Sequence, residues 1–470
     1  MLVGLAVAAL AGFLIYPTYS NYDSLYSLLW GRELLHGSLP SFEAYRAPTQ
    51  HPLWVAICVP LAALGLPGDR VLLGLCVLSF VAMVAGMYRL GKVCFGWVVG
   101  LVAALLLLSR LDLGFLAARG YIDVPYLALI MWAAALEAEQ PKRGGVVWVL
   151  LTLAGLLRPE VWVLAAVYGV WLARGRPLRE WVRIGAIVAI APVVWALSDF
   201  VVTGDPMYSL NYTTESSRLL GRRQSLSELP GVTLEYLAEL TKPPVLVASV
   251  AGIVLAWRMA RDRVLVPTTL LVWGVGMFLL VSLRGFSVIS RYVLVGALAL
   301  TLFAAFAIAG FTRLPRGHRA VRPWAIGAGV IVLGGLVFTL ATLNPAYVDR
   351  ELRLRDSVRK DLEAVLDSPG VRSGMACGPV SVPNHKVLPD VRWIAHLDRD
   401  RVVARTDPTQ TRRRLAGGVG LYLISGSRFL KHPAYGPFDQ DEDSPRIQVP
   451  SDGFERVKVG RYFSAYVRCR

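Results

Sequence analysis

A chain of 470 residues has room for two or three soluble domains, yet 55% of its residues are hydrophobic, only 17% are charged, and its mean hydropathy is +0.51. A water-exposed surface needs more charge than that, which excludes a soluble architecture and leaves the lipid bilayer as solvent. The net charge of +16 would suggest nucleic acid in a soluble protein, but much of the excess lies in short loops between apolar runs, where membrane orientation accounts for it.

In chain order, Leu2–Tyr16 is apolar and lacks the basic lead of a signal peptide, so it is predicted as the first spanning helix. A polar loop follows at 17–50. The stretch Leu53–Leu66, 14 residues between Pro52 and Pro67, would break the inside–outside alternation if it spanned, and reads as a helix lying at, or dipping into, the outer interface. Apolar runs recur at about 71–88, 95–115, 121–138, 144–157, 160–173, 183–202, 244–257, 264–283, 292–312 and 324–343. Most approach the ~20 residues that cross a bilayer core. With the first helix they make roughly eleven spans.

Alternate connections are basic: Arg89 and Lys92; Lys142 and Arg143; Arg174, Arg176, Arg179 and Arg183; Arg258, Arg261 and Arg263; Arg313, Arg316, Arg319 and Arg322. Placing these inside puts the amino terminus inside and the loops 17–70 and 203–243, the Arg284–Arg291 turn and the tail outside. The tail changes character. Arg350–Leu366 has charged helical periodicity, whereas Gly420–Ile424 and Arg461–Arg468 read as short strands. The expected architecture is an all-α polytopic membrane domain, 1–343, carrying a small extracytoplasmic α/β domain, 344–470.

Of five cysteines, Cys58, Cys76 and Cys94 lie in or near apolar segments and read as buried hydrophobes. Cys377 and Cys469 lie in the tail without metal-ligand spacing and are free to pair where it faces an oxidising compartment.

The chemistry-bearing residues gather at the predicted outer helix mouths. Asp23, in Asn21-Tyr-Asp-Ser-Leu-Tyr, follows the first span. A carboxylate partly desolvated there gains the basicity of a general base. Equally, Asp23 precedes an amphipathic run from Leu25 to Leu35 and could serve as a helix cap. Asp123, in Ala118-Arg-Gly-Tyr-Ile-Asp-Val-Pro-Tyr126, opens another span, with the same two readings. A leaving phosphate would need cations, and Arg46, Arg119, Arg158, Arg284 and Arg291 are the outer-face candidates. Arg158-Pro159-Glu160 stands out because ionisable groups at membrane depth are costly, although a structural ion pair at a tight turn is the simpler reading. Arg284 and Arg291 could equally be interfacial snorkelling residues. The loop from Thr203 past Arg218, Arg222 and Arg223 reads either as a gate or as a plain connector. His51, Asp23 and Glu43 have no spacing diagnostic of a metal, so a divalent ion is unsupported and no cofactor is implied.

Taken together, these features resemble the C-type glycosyltransferases, in particular the branch of protein O-mannosyltransferases and the lipid A aminoarabinose transferase. The matching features are Asp23 after the first helix, His51-Pro52 closing the first outer loop, Ile122-Asp123-Val124-Pro125 at the second, and Arg291-Tyr292 opening a late helix. The likeness covers residues 1 to about 313. It implies that Asp23 removes the proton from an acceptor hydroxyl and Asp123 helps position a substrate. The partners it implies are a polyprenyl-phosphate sugar donor, an extracytoplasmic acceptor (glycan, lipid or protein) and the bilayer. Ser24 stands where relatives often carry a second acid, and His51 where others place a lysine, which weakens the case for phosphate binding by His51. The competing reading is a polytopic transporter or lipid-handling protein without catalysis. Such a protein should show paired halves or broken helices with polar residues near the midplane.

Overall fold

The computed structural model describes residues 2–219, 228–284, 288–315, 317–411, 414–424, 450 and 452–469, so Arg222, Arg223 and Arg316 lie outside the described residues. The chain separates into two compact units. The first holds Met1–Phe13, His51–Leu53 and Gly74–Pro345, and the second holds Leu14–Gln50, Trp54–Leu73 and Ala346–Arg470.

The first unit is a helical bundle built around Leu294–Ala309, a helix buried over almost its whole length. Pro243–Met259, Leu265–Leu283 and Trp97–Leu108 pack against it. The approach is closest where side chains are missing. A Cβ on Gly252 would lie 1.9 Å from the carbonyl oxygen of Phe303, so only glycine permits that crossing. A second group, Gly145–Leu157, Val161–Ala173 and Leu178–Thr203, packs together beside Asp123–Glu139. In contrast, Val321–Thr342 buries only Ala328, and Val330, Leu333 and Leu340 stand exposed. An apolar face of that extent needs lipid to cover it.

Among the described residues, five helices are long and apolar enough to cross a membrane, or seven if two bent pairs each count as one span. The predicted span 95–115 is one of those pairs: it breaks at Ser109–Arg110 into Trp97–Leu108 and Leu111–Ala118, inclined by 63°. The loop 203–243 is largely helical rather than irregular, containing Tyr208–Leu219 and Leu229–Thr241. The second of these meets Pro243–Met259 at a 102° bend, where Lys242 adopts the left-handed φ of 70°. The short stretch after His51 forms Pro52–Ala62, an apolar helix of 11 residues.

The second unit contains a five-stranded mixed sheet: β1 (Val380–Val382), β2 (Val402–Ala404), β3 (Gly418–Leu423), β4 (Glu455–Val459) and β5 (Phe463–Arg468). The order is β2-β1-β3-β5-β4, with β1 parallel to β2 and β3, and β5 antiparallel to β3 and β4. Pro345–Leu366, Pro369–Cys377 and Leu388–Ile394 are its helices from the tail, and Tyr22–Leu35 is its principal helix from the first loop. Cys377 and Cys469 form a disulfide, whereas Cys58, Cys76 and Cys94 are buried.

Candidate active site

Three helix mouths of the first unit bring charged side chains together. Gly120, at φ 72°, turns the chain back after Leu111–Ala118, and Asp123 then opens the helix Asp123–Glu139. Asp123 makes no capping hydrogen bond there; its carboxylate binds arginines instead. The helix Gly145–Leu157 ends at Arg158 because the residue before a proline is pushed to extended geometry, here φ −145° and ψ 120°. Pro159 closes the junction and Glu160 starts the next helix. Two ionisable side chains thereby leave one tight turn. Finally, Arg291 and Tyr292 sit in the 3₁₀ turn Ser290–Val293 that leads into the central helix.

Asp123 is the hub, only 1% exposed. It accepts from Nη2 of Arg158 through one carboxylate oxygen and from Nη1 of Arg291, at 3.1 Å, through the other. Arg158 also pairs with Glu160 at 3.4 Å. The aromatic surroundings suit guanidinium groups: Arg158 lies over Tyr292 (5.5 Å) and Tyr126 (5.9 Å), and Arg291 lies over Tyr121 (5.0 Å). Arg119 stacks on the same Tyr121 ring at 4.8 Å and on Phe115 at 4.0 Å. Tyr121 thus meets two cations.

A narrow cavity opens beside the hub, lined by Tyr126, Arg158, Glu160, Trp273, Arg291 and Tyr292 among others. Nε of Arg158, Oε2 of Glu160 and Nε1 of Trp273 are buried without a hydrogen-bond partner. Buried polar atoms normally find partners, so three unpaired ones around one cavity mark a place for a polar ligand. Two are donors and one an acceptor, which suits a group carrying both oxyanions and hydroxyls.

His51 packs edge-on against Trp195 at 5.7 Å, and Trp195 packs on Trp162 at 5.8 Å. Burial, reinforced by Arg158, pulls its pKa down to about 3 in the ligand-free site. Arg284 is exposed at the end of Leu265–Leu283 and makes no ion pair among the described residues. Asp23 and Arg46 belong to the second unit. Asn21 rather than Asp23 caps the helix Tyr22–Leu35, accepting from the amide of Ser24 at 3.0 Å. Asp23 sits half-buried in the first turn. Arg46, at φ 53°, offers its carbonyl to the Tyr22 hydroxyl at 2.8 Å and lies 5.7 Å from the Tyr45 ring. Sequence reasoning missed Tyr121, Tyr126 and Trp273, whose apolar settings look like ordinary core. Among the described residues no group of three or more His, Cys, Asp or Glu could hold a metal ion.

No protein-family model and no curated protein matches the sequence. Solved structures do. ArnT from Cupriavidus metallidurans bound to undecaprenyl phosphate superimposes with a TM-score of 0.57 at 13% identity, over 99% of this chain and 97% of that one. The Archaeoglobus fulgidus oligosaccharyltransferase in the apo form gives 0.52 at 13% identity, over 98% of this chain and 74% of that one. The same archaeal enzyme, AglB, in complex with an inhibitory peptide and a dolichol-phosphate gives 0.51 at 13% identity, over 98% and 73%. The fold is that of the C-type glycosyltransferases, and the chain is a multi-pass integral membrane protein.

Proposed function

We propose that this chain is a membrane glycosyltransferase that moves a sugar from a polyprenyl-phosphate donor to a hydroxyl of a glycan, lipid or protein on the outer face of the membrane. In this reading the amino terminus is inside and the tail outside, as the basic loops suggest. The carrying observation is Asp123, buried and bridging Arg158 and Arg291 beside a cavity with unpaired polar atoms. Two guanidiniums and two carboxylates inside an apolar bundle are costly to bury even when paired, and ionisable groups in such a setting mark substrate sites. The fold shared with a protein solved with bound undecaprenyl phosphate supports that choice of ligand.

The assigned roles follow from the chemistry. Asp23 removes the proton of the acceptor hydroxyl, whose oxygen then attacks the anomeric carbon. The bond from that carbon to the phosphate oxygen breaks, its electron pair leaves with the polyprenyl phosphate, and the centre inverts. Arg158 and Arg291 stabilise the charge that grows on the departing phosphate. Asp123 orients both arginines, and Glu160, Trp273 and Tyr292 border the headgroup.

Purified protein incubated with a panel of polyprenyl-phosphate sugars and candidate acceptors tests the reading. Asp23→Asn is expected to cut turnover by at least about 100-fold, the lower range for a general base, while leaving expression and affinity for undecaprenyl phosphate unchanged. Turnover at the wild-type rate would dismiss Asp23 as the base.

A further inference from the structure

The helix Tyr22–Leu35 carries Asp23, and Ser24 through Arg32 are buried along it. Residues far along the chain, in the same unit, grip both of its ends. At its carboxyl end, Arg32 donates to the carbonyl of Arg392 through both terminal nitrogens, at 3.1 Å each, and to the carbonyl of Leu397 at 2.7 Å. These carbonyls lie at and beyond the end of the helix Leu388–Ile394, where the partial negative charge of a helix terminus welcomes a cation. Arg392, 1% exposed, returns the contact by donating to Glu33 at 2.7 Å. Glu33 is itself held by the amide (2.7 Å) and hydroxyl (2.9 Å) of Ser41. At the amino end, the ring of His385 stands edge-on to Tyr22 at 6.0 Å and to Tyr45 at 6.2 Å, and the Tyr45 hydroxyl donates to the carbonyl of Thr406 at 2.9 Å. Tyr22 is the residue directly before Asp23.

Two guanidiniums and one carboxylate buried at a helix junction are a poor source of stability, because desolvation offsets their attraction. What they supply is register: each bond is satisfied at one rotation and one axial position of the helix. We propose that the tail segment Asn384–Leu397 is the positioning element for the Asp23 helix, and that Arg392, Glu33 and His385 set where the carboxylate stands without touching substrate. The inference rests on the reading of Asp23 as the base and gives the tail a task in the same reaction.

The test uses the full-length protein in lipid nanodiscs. Amide hydrogen exchange over 22–35 is measured for the wild type, Arg392→Met, Arg392→Lys and Asp23→Asn. Steady-state rates are measured alongside, on whichever polyprenyl-phosphate sugar of the panel the wild type turns over. Arg392→Met is expected to speed exchange over 22–35 by at least about tenfold. It should lower kcat about 100-fold, as an ångström-scale misplacement does, with the KM for donor within about twofold of wild type. Arg392→Lys, which keeps a cation facing Glu33, should recover at least about tenfold of that kcat. Should Arg392→Met fail to fold, the isosteric Glu33→Gln carries the same comparison. Unchanged exchange over 22–35, or a kcat within about twofold of wild type, overturns the proposal. Asp23→Asn judges the base separately: if it turns over normally while Arg392→Met loosens the helix, the base assignment falls and the clamp stands.

Discussion

Arg158 and Arg291 hold the same carboxylate, yet their removal should have different consequences. The side chain of Arg158 is 10% exposed and that of Arg291 is 30% exposed, against a wholly buried Asp123. Arg158→Met leaves Asp123 with only its more exposed partner and strips Glu160 of its pair. Breaking a buried pair from one side costs about 3–5 kcal/mol, and the surviving bond to Arg291 places the expected loss near the lower end, about 3 kcal/mol. Arg291→Met leaves the better-buried pair intact and should cost no more than about 1 kcal/mol. For ligand binding the order differs. Each arginine should contribute a charge-assisted hydrogen bond to phosphate worth about 1.5–3 kcal/mol, or about 10–100-fold in affinity. The informative variant is therefore Arg291→Met: near wild-type thermal unfolding in detergent, but about 10–100-fold weaker binding of undecaprenyl phosphate. Tryptophan fluorescence can follow that binding, because Trp273 lines the cavity. Unaltered affinity in Arg291→Met would refute the assignment of this cluster to phosphate.

Two histidines predict an acid sensitivity. His51 and His385 are both held near a pKa of about 3, chiefly by burial. Between that value and the unfolded value near 6.5, the unfolded chain binds protons that the folded chain refuses. Stability should therefore fall as pH falls from about 6.5, by up to about 1.4 kcal/mol per pH unit for each histidine. His51→Gln and His385→Gln should each flatten the decline of thermal stability between about pH 6.5 and 4, and an unchanged slope in both would count against the burial argument. Packing makes its own forecast. Gly252→Ala forces a Cβ onto the Phe303 carbonyl and should cost at least about 1–3 kcal/mol, measured as lost thermal stability. Gly276→Ala, on the neighbouring helix Leu265–Leu283 with open space around it, should be tolerated.

The helical bundle was legible because apolar runs announce themselves, and most runs match helices to within a few residues. What escaped was whatever apolarity does not encode. The break at Ser109–Arg110 lies inside one predominantly apolar run, and only the paired charges of Arg110 and Asp112 hint at it. The strands β1 and β2 have three residues each, buried throughout, so they show none of the alternation that marks a half-exposed strand. Arg158-Pro159-Glu160 drew notice through its cost at membrane depth, and an ion pair is indeed there. Its stronger partner, Asp123, is 35 positions away and was not foreseen, since no local pattern links them. Asp123 itself read as a helix cap or as a residue that positions a substrate, and its carboxylate binds two arginines.

The polar loop after the first span shows most clearly where local reading fails. Arg32 and Glu33 look like solvated charges on an amphipathic helix, which is the ordinary expectation for such a run. Arg32 is buried and Glu33 largely covered because their partners stand near residue 392, and Arg32 reaches across 360 positions to a carbonyl. Hydropathy counts a charge as surface because it weighs each residue in water. A guanidinium whose donors meet two carbonyls and whose neighbour meets a carboxylate no longer needs water. The same accounting explains why the tail could be recognised as a domain but not given a purpose. Its own charged residues include one, Arg392, whose geometry makes sense only beside the helix that bears Asp23.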